Sequence, residues 1–161
     1  MELKLKLKSL MQSYGENDPW TAVRHTNTRP TETAIKGMIE CALGLSKIGL
    51  DDEDDAVRKT LWEHVDICIH DPVQKSMPSI LVDDQTVKPL LDDMRFPCAD
   101  GTTKNDLPLI KKEYVLGGCF DVTLSGDDEY IEKIKYRLQH PVYPYCLGRS
   151  CCIPSAPVVT D

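Results

Sequence analysis

A chain of 161 residues with 41% hydrophobic side chains can bury a core without disulfides or metal, and this composition excludes wholesale disorder. Its formal net charge of −7 counts against a uniformly basic nucleic-acid binder, and its seven cysteines, an odd number, exclude a complete disulfide framework. No run approaches the ~20 apolar residues that span a bilayer, and the start lacks the apolar centre of a signal peptide. The expectation is a single cytoplasmic domain over residues 1–161 with reduced thiols.

The opening residues alternate: Leu3, Leu5 and Leu7 against Lys4, Lys6 and Lys8. That period of two predicts a half-buried strand whose lysines share the solvent face, where they are placed to attract phosphate. Residues 11–30, "MQSYGENDPWTAVRHTNTRP", lack helical periodicity and read as a long loop. The loop carries Arg24, His25 and Arg29 beside Tyr14 and Trp20, a basic and aromatic mixture suited to phosphates and bases.

A helix is predicted over 31–44, with Ile35, Met38, Ile39, Ala42 and Leu43 as its apolar stripe. Thr31 or Thr33 can cap its start and Gly44 can end it. Gly37 inside it costs about 1 kcal/mol relative to alanine, which predicts close approach of another backbone segment. The run "DDEDD" at 51–55 reads as a solvated acidic loop, and "AVRKTLWEHVDICIH" as a short helix followed by a strand. Residues 71–112 are irregular and proline-rich, too long for an ordinary loop, and read either as a mobile stretch or as a hairpin projecting from the body with "ADGTT" at its turn.

"EYVLGGCFDVTLSG" returns to strand character, and "SGDDEYIEKIKYRLQH" is the clearest helix. Ser125 and Asp128 fit a capping box, Ile131, Ile134 and Leu138 form the stripe, Glu129 and Lys133 pair, and Pro141 stops it. The succession predicts an α+β domain with helices on one face of a sheet, best matched by the ferredoxin-like (RRM-like) fold.

The cysteines at 41, 68, 98, 119, 146, 151 and 152 contain no pair at zinc-ligand spacing, so neither metal nor cofactor is expected. Buried, inert thiols are expected at Cys41, Cys68 and Cys119. Phosphate-loop, dinucleotide and hydrolase motifs are missing. Of the four histidines, His64 and His70 read as structural, and only His25, in the basic loop, suits a general base for metal-independent RNA cleavage.

Several segments in order carry a resemblance: Gln12-Ser13-Tyr14-Gly15, Thr31 through Gly44, Asp83-Asp84-Gln85-Thr86-Val87, Cys98-Ala99-Asp100-Gly101-Thr102, Tyr114 through Phe120, and Pro141 through Cys152, the last containing "PVYPYCLGRSCC". Together they resemble the Cas five family of CRISPR-associated proteins, in its subtype I-E form, CasD. The resemblance spans nearly the whole chain and rests on order and spacing rather than on one motif. It implies a ferredoxin-like (RAMP) domain with a β-hairpin thumb at 83–113 and without the family's usual C-terminal segment. It further implies a non-catalytic subunit of the Cascade complex that holds the 5′ handle of the CRISPR RNA (crRNA) in antiviral defence. Its expected partners there are a Cas seven-type backbone subunit and a Cas eight-type large subunit. The alternative is a metal-independent endoribonuclease, as in subtype I-C relatives, using His25 with Tyr14 or a nearby lysine.

A single-stranded handle needs cations, flat side chains and backbone amides. The expected RNA contacts are Gln12, Ser13 and Tyr14 in the first turn, with Arg24, Arg29 and Lys36 around the first helix. In the thumb they are Gln85, Thr86, Lys104, Lys111 and Lys112, and near the end Tyr145 and the Leu147-Gly148-Arg149 turn. Relatives usually carry tyrosine where Asp84 stands and a second arginine where Ser150 stands, so two contacts are expected to differ. Cys152 is expected to be structural.

Overall fold

The computed structural model describes residues 1–15, 23–70, 78–86, 96–97, 101–104 and 109–160. In chain order the elements are β1 (Glu2–Lys8), β2 (Met11–Gln12), β3 (Tyr14–Gly15), β4 (Val23–Arg24), β5 (Thr26–Asn27), α1 (Glu32–Leu43), α2 (Asp52–His64) and β6 (Val65–Ile69). There follow β7 (Ser79–Thr86), β8 (Phe96–Pro97), β9 (Thr103–Lys104), β10 (Leu109–Leu116), β11 (Cys119–Gly126) and α3 (Asp128–Gln139).

The leucine–lysine alternation forms β1 as expected. Leu3, Leu5 and Leu7 are buried and stand directly opposite Leu124, Val122 and Phe120 of antiparallel β11, while the lysines face solvent. Each such burial is worth roughly 1.5–3 kcal/mol, and a slip of one residue would put lysines in the core. β6 pairs antiparallel on the far side of β11. On the free edge of β1 the chain returns near its end. Ser155 N donates to Lys8 O at 2.8 Å, Lys6 N to Val158 O at 2.8 Å and Thr160 N to Lys4 O at 3.1 Å, around an antiparallel Leu5–Val159 bridge. The resulting order is terminal segment, β1, β11, β6. Helices bridge the non-adjacent pairs, which is the α+β ferredoxin-like arrangement predicted from the sequence.

Helix α1 follows its predicted boundaries. The Thr31 hydroxyl accepts from Ala34 N at 3.2 Å, and Gly44, at φ 85°, ends the helix in the left-handed conformation. Gly37 differs from expectation, because a Cβ there would meet nothing within 4 Å. The close approach is at Gly44, whose Cβ would lie 2.8 Å from a methyl of Val142.

The acidic run is not a loop but the first turn of α2. Asp51 caps the helix by accepting from Glu53 N at 2.8 Å, and four acids at the positive end of the helix dipole are favourable there. Arg58, buried, ties α2 to α1 through Glu40 Oε2 at 2.9 Å, and also donates to Ser46 O at 2.6 Å in the connecting loop and to Asp55 one turn back on α2.

The capping box assigned to α3 does not form, because Ser125 is paired inside β11 and the N-cap is Asp127. The N-terminal ammonium meets Asp128 Oδ1 at 2.7 Å instead, and His64 Nδ1 lies 2.8 Å from Asp127 Oδ2. The predicted stripe of Ile131, Ile134 and Leu138 is fully buried.

The long irregular segment contains a hairpin. β7 and β10 pair antiparallel from Ser79↔Leu116 to Leu109↔Thr86, and the β8–β9 ribbon pairs Phe96 with Lys104 around Gly101. β10 is the hinge strand, because its other edge carries β2 and β4. The thiols divide differently from expectation: Cys152 is buried and Cys41 half-buried, while Cys68 and Cys119 alternate onto the helix-free face and are exposed. Cys98 lies outside the described residues, among which no group of His, Cys, Asp and Glu could hold a metal ion.

Candidate nucleic-acid interface

Two distant turns, Gln12-Ser13-Tyr14 and Leu147-Gly148-Arg149, meet in space. Ser13 N donates to Leu147 O at 3.0 Å, and Leu147 N to Cys152 O at 2.8 Å. Gly148 has φ 105°, and a Cβ there would sit 1.7 Å from Ser13 O. Only glycine fits that conformation and that contact.

Beneath the junction lies a buried polar chain. Gln12, 0% exposed, donates from Nε2 to Gly118 O at 2.6 Å and accepts at Oε1 from the Tyr14 hydroxyl. Tyr14, 2% exposed, packs edge-on against Phe120 with ring centroids 6.1 Å apart. Burial, with the nearby Cys152, pushes its phenol far above the ordinary value. The Leu147 side chain joins the core. Gln12, Tyr14 and Leu147, all expected to touch RNA, therefore place their side chains inside the protein, and Tyr14 presents no ring face for stacking; Ser13, also expected there, is buried but lines the cleft described below. Tyr145 is half-buried, and its hydroxyl donates to Leu138 O at 2.9 Å.

Arg149 is also largely engaged. It donates from Nη1 to Glu113 O at 2.7 Å and from Nη2 to Arg24 O at 3.1 Å, and its guanidinium lies 4.8 Å from the Tyr114 ring centroid. Glu113 answers by accepting from Thr26 N at 3.2 Å and lying 3.0 Å from His25 Nδ1. The guanidinium thus pins the base of the hairpin to β4 and to the glycine turn.

Above this knot opens a cleft of about 520 Å³ lined by Gly15, Asn27, Thr31, Thr33, Gly148 and Arg149, among others. The N-terminus of α1 forms one wall. Thr31 caps Ala34 N and Thr31 O accepts from Ile35 N, while the amides of Glu32 and Thr33 meet no acceptor among the described residues. Neither do those of Gly148 and Arg149. Unsatisfied amides at the positive end of a helix, beside a glycine turn, form an anion-binding concavity.

Around the cleft, Arg24 and Arg29 are exposed, and Lys112 stands half-buried between Arg24 and Asp83 in the sheet register. Lys36 is drawn away from it: its Nζ lies 2.6 Å from Glu32 Oε1 and 5.2 Å from the Trp62 ring centroid. Farther along the hairpin, Lys111 pairs with Asp84 at 3.6 Å, and Gln85 donates to Asp83 at 2.5 Å. Thr86 faces Leu109 in the register and Lys104 lies on β9. Sequence reasoning missed Gly15, Asn27 and Thr33 as cleft residues. Thr33 carried a signal, being the second helical residue after a threonine cap, where amides are free.

Comparison with known proteins agrees with this architecture. A solved chain described as "CRISPR RNA-guided surveillance complex" superposes with a TM-score of 0.75 at 22% identity over 99% of this chain. Another, "Crystal structure of Cas protein", gives 0.63 at 19% over 100%. The present chain covers 62% and 63% of their respective lengths. No curated protein matched significantly. The family model described as CRISPR-associated protein (Cas_Cas5) matches residues 2–161, and the chain belongs to that family.

Proposed function

We propose that this protein is a non-catalytic RNA-binding subunit of a type I-E CRISPR surveillance complex, holding the 5′ handle of the crRNA in the cytoplasm. The observation that carries the reading is the cleft in which the α1 N-terminus, Gly15 and the Gly148–Arg149 amides converge. A phosphate seated there would meet several backbone donors, with Arg24 and Arg29 on nearby segments. The hairpin, with Lys111 and Lys112 on β10, extends the cationic track toward the Cas seven-type backbone and Cas eight-type large subunits. With an overall charge of −7, binding by the isolated chain is weak and salt-sensitive, and becomes tight inside the complex.

The test is binding of a labelled handle RNA by the chain and by the assembled complex. Thr33→Glu sets a carboxylate at the cleft wall without harming the helix, since acids suit its first turn. Handle binding falls at least tenfold; unchanged binding would remove the cleft from the reading.

One observation favours a second reading. His25 is 45% exposed on its side chain and held by Glu113, an orientation compatible with general-base cleavage of RNA. Buried Tyr14 is not its partner. Cleavage of a repeat hairpin in EDTA, lost in His25→Ala, would establish that activity.

A further inference from the structure

We propose that the outer face of the last two turns of α3 binds single-stranded nucleic acid at a surface separate from the cleft. Lys133, Tyr136, Arg137 and His140 recur at intervals of three and four and share one helix face, opposite the buried Ile131, Ile134 and Leu138. Tyr136 and Tyr143 are each 56% exposed, far more than Tyr14 or Tyr114. The rings of Tyr136 and His140 are already stacked, with centroids 4.8 Å apart and planes 25° from parallel. The Arg137 guanidinium sits 5.8 Å from the Tyr136 centroid.

A pre-stacked ring pair offers an incoming base a flat face with little ordering left to do, and cations beside it suit the phosphates. Glu129 and Glu132 lie one turn before Lys133 and Tyr136 on the same side of α3, so the favourable surface begins at Lys133 and runs toward the C-terminal end of the helix. The negative end of the helix dipole is also here, so phosphates must be held laterally by Lys133 and Arg137 rather than at the helix terminus. Tyrosine and arginine also serve protein interfaces. The stacked rings with two flanking cations favour instead a polyanion with planar bases. The surface shares no residue with the cleft. Val142 N, just past α3, donates to Ala42 O at 2.9 Å, about 16 Å along α1 from the Thr31 cap, so α3 ends near the end of α1 opposite the cleft. The inference does not rest on handle binding.

The test uses the full chain carrying Thr33→Glu, which disables the cleft, with fluorescent 12-mers of uridylate and of thymidylate. Tyr136→Ala with His140→Ala weakens binding about fivefold or more, whereas Tyr136→Phe, which keeps the ring, stays within about twofold. Lys133→Ala with Arg137→Ala lowers the salt slope by about 1.4, the value for two phosphates on a single strand. A 4-thiouridine oligomer photocrosslinks within residues 136–143. Equal binding of both oligomers assigns a single strand of either kind, and binding of uridylate alone assigns RNA. Undiminished binding in the Tyr136/His140 double variant overturns the proposal. So does crosslinking confined elsewhere, or a double variant that loses only a protein partner. The handle reading is measured separately, by the effect of Thr33→Glu in an otherwise unchanged chain.

Discussion

Gly148→Ala and Gly37→Ala are the same chemical change at two glycines, and the structure assigns them opposite signs. At Gly148 the φ of 105° is costly for any side chain, and the new methyl would meet Ser13 O at 1.7 Å. The backbone term is about 1–3 kcal/mol. Relief of the clash, by parting the 12–14 and 147–149 turns, adds about 1–3 kcal/mol as overpacking. The sum is roughly 2–6 kcal/mol, a large share of the 5–15 kcal/mol that typically holds a domain together. At Gly37 the methyl meets nothing within 4 Å in a regular helix, so alanine stabilises by about 0.5–1 kcal/mol. For a chain of this size that is a rise of about 1–4 °C in Tm for Gly37→Ala and a fall of about 4–24 °C for Gly148→Ala. Urea denaturation with the m-value monitored separates the two. A Gly148→Ala protein within 0.5 kcal/mol of the parent would refute the lock between the two turns.

Four further outcomes follow from single contacts. Arg149→Ala destabilises by about 1–3 kcal/mol through two lost hydrogen bonds and a lost cation–π contact; Arg149→Lys, lacking the fork, rescues little of it in denaturant titrations. Arg58→Ala removes the counter-charge of the nearly buried Glu40, which keeps only the hydrogen bond from Trp62 Nε1 at 2.7 Å, and costs about 3 kcal/mol by the same measurement. Cys152, fully buried, has its thiol pushed up to about 12 by burial and by Cys151. The unfolded chain therefore loses that proton first, so stability falls as pH rises from about 9 toward 12; iodoacetamide at pH 8 labels Cys68 and Cys119 but spares Cys152. The Asp54 carboxylate is held below the usual range, chiefly by accepting from Ser46 N. Its contribution is present above the unfolded value near 4 and is lost as pH falls, and Asp54→Asn flattens that part of the acid titration.

The parts of the fold that were legible in the sequence are those fixed by local periodicity. The alternating leucines of β1 and the three-and-four spacing of Ile35, Met38 and Ile39, and of Ile131, Ile134 and Leu138, each have one buried face and one solution. The misreadings arose where one composition serves two structures. An acidic run reads as a loop, yet acids are also what a helix N-terminus prefers, and Asp51 as cap decided between them. Ser125 and Asp128 have capping-box spacing, but pairing with Glu2 and Asp66 places Ser125 in β11. Cys68 and Cys119 are apolar enough for a core, and only the strand register puts them on the open face.

The candidate site was legible as a set of segments but not as a set of side chains. The resemblance brought Gln12–Tyr14, the start of α1 and Leu147–Arg149 into one neighbourhood, and the fold does join them. Motif matching cannot tell a residue that touches a ligand from one that holds the backbone in place to do so. Gln12, Tyr14 and Leu147 are buried, and Arg149 spends its guanidinium on two carbonyls and a ring. What they leave at the cleft wall is main chain: Thr33, Gly148 and Arg149, whose amides meet no acceptor among the described residues. A site made of backbone donors has no composition of its own, and it tolerates Ser150 where relatives carry arginine. The site also depends on glycine, because a Cβ at Gly148 would part the turns before it met any ligand. Asp84 lies 3.6 Å from Lys111, so the acid in the hairpin is accompanied by a cation. Binding here should therefore respond more to geometry at Gly148 and charge at Thr33 than to loss of any one surface lysine.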